Sequence, residues 1–165
     1  MAILEQLERK GVMAKRLTAD SRRVQPGDVF VAFAGAHVDG RDFIAQAVAK
    51  GAAAVIAEAG RKVGVGDTPL VEVEGLAALS GEIAHLVYGR PSELLWLCGV
   101  TGTNGKTSVS QWIAQAMNAM QHRCAVIGTL GNGFLEALNE SPNTTPDAIT
   151  LHAELAAFVA QGAKA

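Results

Sequence analysis

A glycine-rich turn directly after an apolar run constrains this chain more than any other feature of its sequence. Residues 94–100 read Leu-Leu-Trp-Leu-Cys-Gly-Val, and residues 101–108 read Thr-Gly-Thr-Asn-Gly-Lys-Thr-Ser. An apolar run without alternation is typical of a strand buried on both faces of a parallel sheet. Gly102 and Gly105 supply turn conformations and leave room for a ligand beside the backbone. The sequence therefore predicts a strand, an anion-binding loop, and a helix from Thr107 onward whose first amides face the anion.

The lysine and threonine that follow the turn indicate which anion binds. In a phosphate-binding loop the lysine reaches the outer phosphates, and the hydroxyl of the next Ser or Thr binds Mg²⁺. Lys106 and Thr107 occupy these positions, so we expect a nucleoside triphosphate with Mg²⁺. The strict motif has glycine six positions before the lysine, where this chain has Val100. The alternative to a phosphate-binding loop at this position is a Gly- and Asn-rich turn with an exposed lysine.

Composition and charge exclude several classes of function. The chain is 49% hydrophobic, which is ample for a packed core. Residues 1–90 carry 11 Lys and Arg against 11 Asp and Glu, and residues 91–165 carry 3 against 5, so no basic surface for nucleic acid is expected. The apolar runs are too short to span a bilayer and the N-terminus lacks a signal-peptide core, so we expect a cytoplasmic protein without membrane insertion. Cys98 and Cys124 are expected to be small buried hydrophobes.

Hydrophobic periodicity predicts an α/β fold in two parts. The break at Gly89-Arg-Pro-Ser92 separates a small α/β domain over residues 1–90 from the start of a parallel-sheet nucleotide-binding domain over residues 91–165. The first part is predicted to contain strands at 29–33, 53–57 and 69–73 and helices at 2–10, 39–51 and 75–88. The second part is predicted to contain a strand at 94–100, a helix at 106–121, a strand at 124–128 and a helix at 146–162.

Two finer expectations concern the second part. Its strands at 94–100 and 124–128 should form a right-handed parallel β-α-β unit. The intervening helix should turn one apolar set inward, namely Val109, Trp112, Ile113, Ala116, Met117 and Met120.

Phosphoryl transfer also requires an acidic Mg²⁺ ligand, usually at the end of a second buried strand. The acids after Lys106 are Glu136, Glu140, Asp147 and Glu154, and none of them ends an apolar strand. Two parallel strands are also too few for a doubly wound nucleotide domain. We therefore expect this chain to be the N-terminal portion of a longer enzyme and to be inactive by itself.

The segment Gly99-Val-Thr-Gly-Thr-Asn-Gly-Lys-Thr-Ser108 resembles the ATP loop of the Mur ligases and their folylpolyglutamate synthase relatives, in which valine also replaces the first glycine. Other stretches resemble the Mur ligases that add the third peptide residue, and the similarity covers nearly the whole chain but only the first third of such an enzyme. These stretches are Asp20-Ser-Arg22, Pro26-Gly-Asp-Val-Phe-Val-Ala32, Asp39-Gly-Arg41, Gly51-Ala, Ala54-Val-Ile, Gly128-Thr-Leu-Gly-Asn-Gly133 and Asn143-Thr-Thr-Pro146.

The resemblance implies an ATP-dependent amide ligase of peptidoglycan precursor synthesis. ATP would phosphorylate the γ-carboxylate of D-Glu in UDP-N-acetylmuramoyl-L-alanyl-D-glutamate, and the amine of a free amino acid would attack the acyl phosphate. We expect meso-diaminopimelate as that amino acid, with L-lysine as the alternative, and a monomer as the form of the protein. The competing hypothesis is a non-catalytic nucleotide-binding or interaction module, because the second half of the site is missing.

The resemblance also implies roles for individual residues, with Lys106 as the catalytic residue and Thr107 as the Mg²⁺ ligand. From the residues alone, Asp20 and Ser21 can instead form an Asx-turn, and Thr144 to Asp147 can be the cap and first turn of the last helix. The implied ATP contacts are Gly102, Thr103, Asn104, Gly105, Lys106, Thr107 and Ser108. The implied substrate contacts are Ala19, Ser21, Ala36, His37 and Val38 for the uridine nucleotide, and Asn143, Thr144 and Thr145 for the muramoyl-peptide part.

Overall fold

The structure is a computed structural model that describes residues 2–35, 38–140 and 145–165. The chain divides into two compact units, Met1–Gly89 and Arg90–Ala165. Within the described ranges, no helix has the length and apolar character that a membrane crossing requires.

The first unit is built on a parallel sheet of four strands in the order β1-β2-β3-β4. The three predicted strands and three predicted helices are present, which confirms that reading of the hydrophobic pattern. The sequence pattern missed β1, because a strand of two residues has no periodicity to detect. The elements are α1 (Ala2–Arg9), β1 (Leu17–Thr18), β2 (Val29–Ala32), α2 (Ile44–Ala49), β3 (Ala54–Glu58), β4 (Leu70–Val73) and α3 (Leu76–Val87), with a 3-10 helix at Gly40–Phe43 before α2.

Burial in this unit follows the sheet. All four residues of β2 and the first four of β3 are buried, as expected for central strands of a parallel sheet that is covered on its faces. Phe30 lies opposite Val55 in the β2–β3 ladder, and Val55 lies opposite Leu70 in the β3–β4 ladder. The helices pack against this sheet, α1 on β4, α2 on β2 and α3 on β3. Ile44 and Ala47 are the residues of α2 that are buried in the core.

The second unit contains two helices and a small antiparallel sheet of order β5-β6-β7. Strands β6 and β7 lie where the sequence predicted no strand. The pattern missed them because their glycine, asparagine and alanine residues have low strand propensity. The last helix is confirmed, with Ile149, Leu155 and Phe158 buried. The elements are α4 (Lys106–Ala119), β5 (Ala125–Gly128), β6 (Gly131–Phe134), β7 (Ala137–Asn139) and α5 (Ala148–Ala160), with a 3-10 helix at Pro91–Glu93.

The predicted buried strand at 94–100 is wrong. The segment has no strand assignment, and Trp96 and Leu97 are 56% and 50% exposed, while Leu95 is buried. The Trp96 amide donates to the carbonyl oxygen of Lys164, and the Lys164 amide donates to that of Arg123. Residues 163–165 therefore lie between this segment and β5. The parallel β-α-β unit is wrong for the same reason, since β5 pairs antiparallel with β6 instead.

The predicted inward set of α4 is only partly right. Ile113 and Met117 are half-buried, but Val109, Ala116 and Met120 are exposed, and Trp112 is 66% exposed. The residue that is fully buried is Ala114. The stripe that meets the rest of the unit consists of Ser110, Ile113, Ala114 and Met117, which is the predicted stripe turned around the helix axis.

Candidate functional site

The glycine-rich loop leads directly into α4 as its sequence predicts. Gly102 and Gly105 have φ of 147° and 79°, in the region that favours glycine, and α4 begins at the next residue, Lys106. A 14-residue helix leaves its first amides without intrahelical acceptors and places a partial positive charge at that end. The local geometry therefore suits an anion held against the loop.

The two reactive side chains of the loop differ in exposure. Lys106 is exposed, and its Nζ donates to the carbonyl oxygen of Gly102 at 2.5 Å. Thr107 is half-buried in the first turn of α4, and its carbonyl oxygen accepts from the Ser110 hydroxyl at 3.0 Å. The lysine is thus hydrogen-bonded to a neutral carbonyl oxygen. A charged phosphate oxygen is a stronger acceptor and can replace it.

A cavity of about 380 Å³ lies beside this loop, entirely within the second unit. That volume falls within the range of about 300–1,000 Å³ that small-molecule sites occupy. Apolar side chains of β5 and α5 form much of its wall, while Lys106, Thr107, Thr129 and Thr145 supply polar groups. The tertiary structure thus brings Thr145, a predicted substrate contact, to the same cavity as the predicted ATP contacts Lys106 and Thr107.

Thr129 is a cavity residue that the sequence reasoning missed. It follows β5 in the turn to β6, and the preceding amide of Gly128 donates to the Asn132 Oδ1 at 3.1 Å. The signal for this turn was the Gly131-Asn132-Gly133 run, which entered the sequence analysis only as part of the family resemblance.

The acids that follow Lys106 have other roles in the described structure. Asp147 caps α5, since its Oδ1 accepts from the amides of Ile149 and Thr150 at 3.0 Å each. Glu154 accepts from the Asn132 side chain, and Glu136 and Glu140 are exposed. Over residues 2–35, 38–140 and 145–165, no group of three or more His, Cys, Asp or Glu side chains is arranged to hold a metal ion.

The predicted substrate residues of the first unit lie in and beside the loops that flank β2. Ser21 is 5% exposed and its hydroxyl donates to the Gln46 Oε1 at 2.6 Å, while Ala19 is half-buried. Val38 is exposed, and its carbonyl oxygen accepts from the Gly35 amide. The Asx-turn, which was the alternative interpretation of Asp20 and Ser21, is also present, because the Asp20 Oδ1 accepts from the Arg22 amide at 2.9 Å.

The other predicted substrate contacts are Ala36, His37, Asn143 and Thr144, and they lie outside the described residues. Thr145 belongs to the described residues. The alternative interpretation, in which residues 144–147 are the cap and first turn of the last helix, is correct in part. Asp147 is the N-cap of α5, but the helix begins at Ala148 and not at Pro146.

Two arginine–aspartate pairs hold the loops around these residues. Arg16 donates to both carboxylate oxygens of Asp28, through Nε at 2.6 Å and through Nη2, and the Gln25 amide adds a bond at 2.7 Å. Burial alone would raise the pKa of Asp28, but the bonds from Arg16 and Gln25 outweigh it and the pKa is lowered.

The second pair closes the loop that contains Val38. Arg41 binds Asp39 through Nε and Nη2, and its Nη1 donates to the carbonyl oxygen of Ala59 at 3.2 Å. The side-chain bonds from Arg41, with a further bond from its amide, lower the pKa of Asp39 to about 2. The loop is therefore tied to the end of β3 by a charged group that stays ionised at neutral pH.

Both parts of the chain match families of one kind. Residues 14–88 match the family described as Mur ligase family, catalytic domain, and residues 100–165 match the Mur ligase middle domain.

Curated relatives match along nearly the whole chain. The UDP-N-acetylmuramoyl-L-alanyl-D-glutamate--2,6-diaminopimelate ligase of Pseudomonas aeruginosa is 49% identical over 94% of this chain and 32% of its own length. The enzyme of the same name from Chromobacterium violaceum is 47% identical over 98% of this chain and 33% of its own length. The chain thus spans about a third of the length of the curated relatives it matches.

Solved structures agree with this fold. A structure titled UDP-N-acetylmuramoyl-L-alanyl-D-glutamate--2,6-diaminopimelate ligase matches with a TM-score of 0.73 and 35% identity, over 92% of this chain and 31% of that one. The MurF ligase from Thermotoga maritima in complex with ADP matches with a TM-score of 0.56 and 28% identity, over 86% of this chain and 29% of its own.

Proposed function

Because the chain belongs to the Mur ligase family, we propose that it is part of an ATP-dependent ligase that joins meso-diaminopimelate to UDP-N-acetylmuramoyl-L-alanyl-D-glutamate. The names of the relatives supply the nucleotide substrate and the amino acid. ATP transfers its γ-phosphoryl group to the D-Glu γ-carboxylate. The amine of the amino acid then attacks the acyl carbon, and the amide forms as phosphate leaves and the amine loses a proton.

One observation supports the ATP half of this proposal above all others. Lys106 and Thr107 open α4 directly after the positive-φ turn at Gly105, and both line the cavity that Thr145 also reaches. Lys106 and the loop amides are placed to stabilise the negative charge on the phosphoryl group in transfer. Gly102 through Ser108 are the residues that we assign to ATP. The ADP in the Thermotoga maritima relative is consistent with that assignment.

The donor set at Thr107 fits Mg²⁺ as the partner of ATP. Mg²⁺ is commonly held by one or two protein oxygens while phosphate and water oxygens complete its shell. The Thr107 hydroxyl is such an oxygen, on a half-buried residue in the wall of the cavity. Thr107 would hold Mg²⁺ through its hydroxyl, and the ion would supply positive charge against the phosphates.

We assign the uridine nucleotide to the first unit and the muramoyl-peptide part to the region of Thr145. Ala19, Ser21 and the loop over residues 36–38 are the proposed uridine contacts, and Asn143 and Thr144 complete the second set. Residues 1–90 then form a substrate-binding domain, and residues 91–165 the first part of an ATP-binding domain. The proposed setting is the cytoplasm, with the enzyme acting as a monomer.

Calorimetric titration of the 165-residue chain with UDP-N-acetylmuramoyl-L-alanyl-D-glutamate tests the proposal. We expect saturable heat at micromolar to millimolar concentration, weakened about tenfold in Ser21→Ala, whose hydroxyl would otherwise position the uridine loop. Ser80→Ala is the matched control, because Ser80 is equally buried and bonds only within its own helix, to the Ala77 carbonyl oxygen at 2.8 Å. The absence of heat with the wild-type chain at millimolar ligand would contradict the proposal and leave a nucleotide-binding module.

A further inference from the structure

Asn132 is a buried polar residue in the middle of the small sheet of the second unit. It lies on β6, is 5% exposed, and uses both ends of its side-chain amide. The Oδ1 accepts from the Gly128 amide at 3.1 Å, and the Nδ2 donates to both carboxylate oxygens of Glu154 at 2.9 Å. One side chain therefore joins the β5–β6 turn to α5.

The two glycines that flank Asn132 explain how it reaches this position. A Cβ on Gly131 would lie 2.5 Å from the carbonyl oxygen of Asn139, and a Cβ on Gly133 would lie 2.5 Å from that of Ala137. Strand β7 thus packs directly against the backbone of β6 at these two positions. Their φ values of 119° and 142° are also in the region that favours glycine. The two glycines therefore allow β7 to approach β6 closely on either side of Asn132.

Both elements that Asn132 joins belong to the wall of the cavity. Gly128 and Thr129 line it at the β5–β6 turn, and Leu151 and Leu155 line it from α5. Glu154 lies on α5 next to Leu155, one helical turn beyond Leu151. The hydrogen bonds of Asn132 therefore connect two segments that line the cavity of Lys106 and Thr107.

Resting on the proposed function, we infer that Asn132 is a positioning residue for the phosphate cavity. It holds the Gly128 amide and so positions the next residue, Thr129, to meet the triphosphate in the cavity with its backbone and hydroxyl. Glu154 orients the Asn132 amide, since a carboxylate accepts from Nδ2 and leaves Oδ1 for Gly128. A buried amide with both ends bonded has one preferred orientation, which makes the placement of Thr129 unique.

The test combines ATP binding with amide hydrogen exchange on the 165-residue chain. In Asn132→Ala we expect the ATP dissociation constant to rise about tenfold and the Gly128 amide to lose its protection from exchange. In Glu154→Gln both changes should be smaller than in Asn132→Ala, because the glutamine oxygen keeps one of the two bonds from Nδ2 while its NH2 group cannot accept the other. Asn118→Ala is the matched control: its Oδ1 accepts from the Cys124 amide at 2.9 Å at the other end of β5.

The control separates positioning from stability. Asn118→Ala should lower the melting temperature as Asn132→Ala does but should leave the ATP dissociation constant within twofold of the wild type. If the two variants weaken ATP binding equally, Asn132 acts through stability alone and the inference is overturned. It is also overturned if Asn132→Ala deprotects Gly128 without any change in ATP affinity. If Asn132→Ala does not fold, Glu154→Ala takes its place, with an expected weakening of about threefold, and unchanged affinity overturns the inference.

Failure of the proposed function gives a different pattern. In that case the wild type and Lys106→Ala both show no heat with ATP, and the backbone signals of Thr129 decide the inference. One sharp signal in the wild type that broadens or splits in Asn132→Ala supports the positioning role. An identical Thr129 signal in the two proteins overturns it.

Discussion

The Nζ of Lys106 lies 2.5 Å from the carbonyl oxygen of Gly102 and donates a hydrogen bond to it across the turn of the glycine-rich loop. The charged end of the lysine is therefore kept beside the loop amides, close to the place where an anion would lie. Because a carbonyl is a weaker partner for an ammonium group than a phosphate, the bond can be exchanged when a triphosphate arrives.

Replacement of Lys106 by alanine should remove ATP binding without unfolding the protein. We expect at least a tenfold loss of ATP affinity by calorimetry, because the loop loses its only cation. The free energy of unfolding should change by no more than about 0.5 kcal/mol, since the side chain is exposed. Lys164→Ala removes the same charge from an exposed position in the same unit and should bind ATP normally. Undiminished ATP affinity in Lys106→Ala would refute the assignment of the loop.

The ion pair between Arg16 and the buried Asp28 should contribute strongly to the stability of the first unit. Asp28 is 3% exposed and accepts three hydrogen bonds, so Asp28→Ala should lower the free energy of unfolding by about 2–3 kcal/mol. Asp20→Ala breaks an exposed pair with Arg22 and should cost about 0.5 kcal/mol. Urea unfolding followed through the amide signals of β3 measures both, and equal losses in the two variants would show that burial does not matter here.

Acid should destabilise the first unit over a defined range. The pKa of Asp39 is lowered to about 2 in the folded protein, against an ordinary value of 3.8, and the pKa values of Asp20 and Asp28 are also lowered. Groups with a lowered folded pKa stabilise the fold fully above the unfolded pKa, and that stabilisation is lost as the pH falls through the folded pKa. The urea concentration at the midpoint of unfolding should therefore decrease as the pH is lowered from about 4 to about 2.

Asp39→Asn tests this pH dependence at a single residue. The variant should show a smaller fall in the urea midpoint than the wild type, because the carboxylate that Arg41 holds ionised is absent. Asp67→Asn removes the same charge from an exposed loop residue and should retain the full fall. A midpoint that stays constant from pH 7 to pH 2 in the wild type would contradict the argument.

An alanine at Gly131 should disrupt the sheet of the second unit. Its Cβ would lie 2.5 Å from the Asn139 carbonyl oxygen, at a φ of 119° that side chains other than glycine avoid. We expect a loss of about 3 kcal/mol in the free energy of unfolding, seen in the amide signals of β6. Gly99→Ala, where a Cβ would meet no atom within 4 Å, should cost less than about 1 kcal/mol. Similar melting temperatures for the two variants would show that β7 does not pack as described.

The sequence predicted most of the first unit because its signals there are local. Strands β2, β3 and β4 are short segments rich in apolar residues between turn signals, and helices α1 and α3 repeat apolar residues at helical spacing. Strand β1 was not predicted because it has only two residues and its hydrogen-bond partners are distant in sequence. Its Leu17 amide donates to the Tyr88 hydroxyl at 3.0 Å, 71 positions along the chain.

In the second unit the same local reasoning failed for residues 94–100. An apolar composition indicates that a segment is more stable when it is buried. Whether it is buried depends on the segments that pack beside it. Here residues 163–165 take the place beside Trp96, and β5 pairs with β6. The stripe of α4 that lies inward likewise depends on which surface it meets, so Trp112 is exposed although its spacing suits a core.

The sequence by itself determined the conformation of the glycine-rich loop and the family. Glycine at 102 and 105, lysine at 106 and threonine at 107 act through backbone dihedrals and side-chain chemistry that need no distant partner. The tertiary structure decided what surrounds the loop. It brought Thr129 and Thr145 to the cavity of Lys106 and buried Asn132 between Gly128 and Glu154, because the positions of residues far apart in sequence follow from packing and long-range hydrogen bonds.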